Sequence, residues 1–183
     1  MAPSAPSTSV GRDALVRFLL LALILFVGWQ VLYAFVIHPW GVLDHWLIDR
    51  LTGHAGFLLR TLGYELLPEP GGTDRYIGVQ GGSLLWIGDR CDGLSVMVVF
   101  MLFILAFPGP GKHKPWFMLV GTLIIHAINA FRVAALCIVA TIDYELFNFQ
   151  HDYTFQVVVY GCVVLLWFFW VKRFAPLPAL PRP

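Results

Sequence analysis

Four stretches of the chain are almost free of polar side chains: Leu15 to Ile37, Leu94 to Phe107, Trp116 to Ala140 and Phe155 to Val171. A helix needs about 20 apolar residues to cross ~30 Å of hydrocarbon. The first and third runs reach that length. The second and fourth are shorter, which predicts helices that thin the bilayer or begin below the headgroups. The pattern predicts an all-α integral membrane protein, a bundle of about four transmembrane helices spanning about 15–37, 92–107, 116–140 and 154–172. These form a single transmembrane domain, 15–174, between tails at 1–14 and 175–183.

Between the first two runs the pattern changes. Leu43, Trp46, Leu47 and Leu51, then Leu58, Leu59 and Leu62, recur at helical spacing with Asp44, Asp49, Arg50 and Arg60 between them. This predicts an amphipathic segment on the outer face of the membrane, as one helix or as two with a break near Thr52-Gly53. Leu66 to Thr73 is Pro/Gly/Glu punctuation. The alternating segments Tyr76 to Gln80 and Ser83 to Ile87, separated by Gly81-Gly82, predict a small β-hairpin that delivers the chain to Cys91.

Composition agrees with the membrane reading, because a chain of 183 residues with 58% hydrophobic and 13% charged side chains has too much apolar surface for a water-soluble fold. Charge then sets the orientation. Arg12, Arg17, Lys112, Lys114, Lys172 and Arg173 fall on one side of a four-span arrangement, with Asp13 as their only acidic companion. The other acids, Asp44 and Asp89 among them, fall opposite. The positive-inside rule therefore puts both termini and the loop Pro108 to Pro115 in the cytoplasm, with 38–90 facing outward. The first run is too long for a cleaved signal and lacks a small-residue cleavage site at its exit, so it reads as a permanent anchor.

The candidate chemistry lies at the outer ends of these runs. Cys91 precedes the second run by three residues, and His151 precedes the fourth by four. Arg132 lies sixteen residues after Trp116 in the third run, or about 24 Å across at helical rise. All three therefore approach one plane near the outer boundary. An arginine within a span costs about 2.5–3.5 kcal/mol on insertion scales, so it usually faces the bundle interior with a partner or a task. Snorkelling to the headgroups is the alternative. Asn129 stands one helical turn away on the same face, with His126 continuing the stripe inward. An amide beside a guanidinium is a donor set suited to an oxyanion or a carboxylate. Cys91 lies at a helix N-terminus within reach of cations, surroundings that favour the thiolate. Cys137 and Cys162 read as inert apolar residues, although a Cys91–Cys137 disulfide stays open. No C-x-x-C pair suggests a dithiol redox protein. His38, His45, His54 and His151 share the outer side without metal-ligand spacing such as H-x-x-x-H, so no metal site is expected.

Cys91-x-Gly93 at the mouth of one span, Asn129-x-x-Arg132 in the next and His151 before the last resemble the exosortase/archaeosortase family of prokaryotic membrane enzymes, over roughly Tyr76 to Gly161. The resemblance implies a cysteine protease or transpeptidase with Cys91 as nucleophile, His151 as general acid/base, Arg132 as stabilising cation and Asn129 in support. It implies as partner a secreted protein whose C-terminal sorting tail carries a short motif, a transmembrane helix and a basic cluster, cleaved at the outer face of the cytoplasmic membrane. Membrane lipids are the other expected contact; no cofactor and no nucleic acid are expected. Two departures stand out. Asp92 follows the cysteine where Ser or Asn is more usual, adding negative charge beside the thiol, and the chain is shorter than the many-span members. The rival readings are a noncatalytic membrane subunit of an export or anchoring system, in which Arg132 pairs with a partner's acid, and a thiol-disulfide protein using Cys91 and Cys137.

Overall fold

The structure is a computed structural model that describes residues 9–70, 75–142 and 155–174. Helix α1, Ser9–Leu32, continues through a wide π-type turn, Tyr33–Ile37, and a last turn, His38–Trp40. Pro39 lacks an N–H and its ring would crowd the carbonyl four residues back, and the widened turn just before it relieves that conflict. The helical segment therefore outlasts the apolar run, giving a candidate span Leu15–Trp40. Gly41 ends it in the left-handed region, φ +69°, which a side chain would oppose.

Helix α2, Val42–Thr61, is a single helix that passes through Thr52-Gly53 without a break. A helical glycine costs only about 1 kcal/mol, and the packing of this helix outweighs it. Ile48, Leu51, Ala55 and Leu59 are buried against Ile77, Val79 and Ile87 and against Ala130, Val133, Ala134 and Cys137.

The hairpin exists but is smaller than the alternation predicts. Strands β1, Tyr76–Ile77, and β2, Leu85–Trp86, pair antiparallel with Tyr76 opposite Trp86 and Ile77 opposite Leu85. Gly78 to Gln80 turn instead toward the segment taken as punctuation: Leu66 bridges Val79, Leu67 N–H donates to Gly78 O, and Gln80 N–H donates to Glu65 O. A Cβ on Gly78 would meet Ser83 O at 2.7 Å, so this close turn requires glycine.

Three helices complete the bundle: α3, Leu94–Ala106; α4, Lys114–Val139; and α5, Phe155–Phe174. With the first helical segment, α4 and α5 are long and apolar enough to cross a membrane, and α3 is shorter. The fourth apolar run is therefore not a short helix, because α5 extends through Lys172 and Arg173 to Phe174. Only α3, at 13 residues or about 20 Å, keeps the expected deficit. Met97, Phe100 and Ile104 of α3 pack with Phe117 and Ile125 of α4 and with Val163 and Trp170 of α5 in a second core. Phe100 fits there because Gly121 has no side chain; a Cβ would stand 2.2 Å from its ring.

Candidate functional site

A 3-10 turn, Asp89–Cys91, links the hairpin to α3. Cys91 N–H donates to Gly88 O at 2.8 Å, closing the turn. Asp92 follows, only 2% exposed, and its Oδ1 accepts the Leu94 N–H at 2.7 Å, satisfying an otherwise unpaired donor of the first helical turn. Gly93 takes φ +85°, and a Cβ there would stand 3.0 Å from Asn129 Nδ2. The glycine of Cys-x-Gly therefore both turns the chain and admits Asn129.

Asn129 is buried on α4 and its Nδ2 donates to the Cys91 carbonyl at 2.8 Å. Its Oδ1 accepts from Arg132 Nη1 at 3.5 Å. The structure thus links the Cys91 backbone to Arg132 through the side-chain amide of Asn129. Among the described residues no carboxylate lies within ion-pair distance of Arg132, and its Nε is buried without a hydrogen-bond partner. His151 lies outside the described residues. His126, the inward end of the stripe, turns elsewhere: its Nε2 lies 2.9 Å from His54 Nδ1 on α2. The three cysteines form no disulfide, and Cys137 is fully buried.

Asn129 and Arg132 line a cleft of about 80 Å³ between α3, α4 and α5, with Arg90, Gly93, Val96, Ile125, Gln156, Val159 and Tyr160. Sequence reasoning missed Arg90, Gln156 and Tyr160. The signal was present: Arg90 precedes the cysteine, and Gln156 and Tyr160 are polar positions four apart on one face of the last span. A larger cavity, about 490 Å³, lies between α2 and the hairpin and is lined by Asp49, Thr52, Arg60, Glu69 and Tyr76 among others. It includes none of the sequence-predicted site residues.

A polar cluster stands behind the Cys91 turn. Burial pushes the Asp92 carboxyl up to about 8; its Leu94 hydrogen bond opposes this, and the adjacent Asp44 and the charge of Asp89 reinforce it. Burial thus favours the neutral carboxyl and weakens the negative charge expected beside the thiol. Asp44, in the first turn of α2, is 1% exposed and accepts from the Tyr33 hydroxyl at 3.3 Å. Arg75 Nη1 donates to Asp89 Oδ1 at 2.6 Å, and His38 Nδ1 lies 3.5 Å from Asp89 Oδ2.

A family model for transmembrane exosortase (Exosortase_EpsH) matches residues 5–170. Neither a curated protein nor a solved structure gives a significant match.

Proposed function

Since the chain belongs to the transmembrane exosortase family, a family of membrane-embedded sorting proteases or transpeptidases, we propose that it cleaves a C-terminal sorting signal of secreted proteins at the extracytoplasmic face through Cys91, Arg132 and His151. The observation that carries this reading is the Cys91–Asn129–Arg132 linkage, in which a buried amide ties the cysteine turn to an arginine that has no acidic partner among the described residues. An arginine within a span usually faces the bundle interior with a partner or a task, and here its neighbour is the amide that holds the cysteine turn.

In this mechanism the Cys91 thiolate attacks the scissile carbonyl, forming a tetrahedral intermediate whose oxyanion is stabilised by the Arg132 guanidinium. His151 protonates the departing amine, and the acyl group remains on sulfur as a thioester. His151 then takes a proton from water or from an acceptor nucleophile, which attacks the thioester and releases Cys91. Asn129 fixes the backbone of the nucleophile against Arg132. The short α3 leaves the Cys91 turn recessed, and a substrate's transmembrane tail enters laterally from the lipid. The positive-inside charge pattern favours both termini in the cytoplasm and this site outside.

The test is processing of a secreted reporter that ends in a short motif, a transmembrane helix and a basic cluster, coexpressed with the protein in a host lacking such an enzyme. Cleavage is expected with the parent, with about a 100-fold or greater loss for Cys91→Ala, Arg132→Ala and His151→Ala. Undiminished processing by a normally accumulating Cys91→Ala protein would refute the catalytic reading.

A further inference from the structure

We infer that His38, Asp44 and Asp89 form a binding site for one divalent zinc ion that clamps the end of the first helical segment, the start of α2 and the Cys91 turn together. Their ligand atoms, one imidazole nitrogen and two carboxylate oxygens, all lie within 4.8 Å of one another. His38 Nδ1 is 3.9 Å from Asp44 Oδ2 and 3.5 Å from Asp89 Oδ2. Ligand atoms on a tetrahedral zinc with bonds of ~2.0–2.1 Å stand roughly 3.3 Å apart, so the cluster closes on the ion by side-chain shifts of about 1 Å.

The surroundings are built for a cation rather than left as a chance meeting of acids. Asp44 is 1% exposed; its Oδ1 is held by the Tyr33 hydroxyl, while its buried Oδ2 has no hydrogen-bond partner and faces the cluster. Asp89 has the same division, with Oδ1 fixed by Arg75 and Oδ2 turned to His38. Each carboxylate is thus oriented through one oxygen and offers the other, as metal-ligating carboxylates do. Arg75 Nη2 is also 3.2 Å from the His45 ring, which steadies the guanidinium. One guanidinium, Arg75, faces the two carboxylates Asp44 and Asp89, and the negative charge left over favours a cation among them.

Ligand chemistry selects the metal. An imidazole with two carboxylates suits zinc; calcium and magnesium prefer all-oxygen sets with more ligands. The half-exposed His38 side chain leaves the cluster open on one side. The three ligands come from separate segments of the sequence, which is why no contiguous motif announced them.

The protein purified in detergent through a histidine-free tag, stripped with chelator and re-equilibrated with Zn2+, is the sample. Elemental analysis after gel filtration should find one zinc per chain, and zinc should raise the unfolding temperature. His38→Ala and Asp89→Asn should each weaken zinc binding about 100-fold or more and abolish the thermal shift. His54→Ala, which removes the separate His54–His126 pair, should leave both unchanged. His38→Gln replaces His38→Ala if the latter loses its monodisperse peak. Absence of retained zinc in the parent, retention unaffected by the His38 and Asp89 variants, or loss in His54→Ala would each overturn the inference.

Discussion

Gly93 and Asn129 determine whether the cysteine turn can face Arg132. With φ +85° and Asn129 Nδ2 at 3.0 Å from the position of a Cβ, Gly93→Ala meets both backbone strain, about 1–2 kcal/mol, and a clash with the amide. Asn129→Ala leaves the Cys91 carbonyl without its side-chain donor, a loss of about 1–3 kcal/mol when such a group stays buried. Both variants should cut reporter cleavage at least tenfold while still inserting in the membrane, and Asn129→Asp, which removes the donor but keeps the shape, should behave as Asn129→Ala. Full activity in Asn129→Asp would show that the bond to Cys91 is dispensable. These residues were legible in the sequence because Cys-x-Gly is contiguous and Asn129 and Arg132 are one turn apart. Asp44, Asp89 and Arg75 were not, because their meeting depends on how α1, α2 and the hairpin dock.

Helix packing separates two glycines that look alike in the sequence. Gly121 of α4 lies under the Phe100 ring, with a Cβ position 2.2 Å from it, whereas Gly53 of α2 is exposed with nothing within 4 Å of such an atom. Gly121→Ala should therefore destabilise by about 1–3 kcal/mol through overpacking, and Gly53→Ala should stabilise by about 0.5–1 kcal/mol through helix propensity. Thermal unfolding in one detergent checks both, and equal shifts would contradict the packing described. Gly53 also bears on whether this segment is one helix or two. Glycine after threonine suggests a break, but Ile48, Leu51, Ala55 and Leu59 bury a continuous face across it. The hairpin shows the same limit, since alternation identifies strand character and not the partner; Val79 pairs with Leu66.

Across the whole molecule, the apolar runs were readable because a membrane imposes length and hydrophobicity on each segment independently. Helix ends were less so. Pro39 lies inside a continuing helical segment, and α5 runs on through Lys172 and Arg173, whose long stems let charged tips reach the interface. The exposed apolar side chains of α1 and α5 then form the lipid-facing surface, and the polar groups gather where the hairpin, α3 and α4 meet. On the proposed function, this gathering makes Cys91 an outward nucleophile supported by Arg132. The most direct test of that role is the rate at which a membrane-impermeant thiol reagent labels Cys91 in intact cells, with Cys91→Ala as the blank. Rapid labelling from outside is expected, slowed about tenfold or more in Arg132→Ala if the guanidinium supports the thiolate. Labelling that needs permeabilised membranes, or proceeds at the same rate without Arg132, would contradict it.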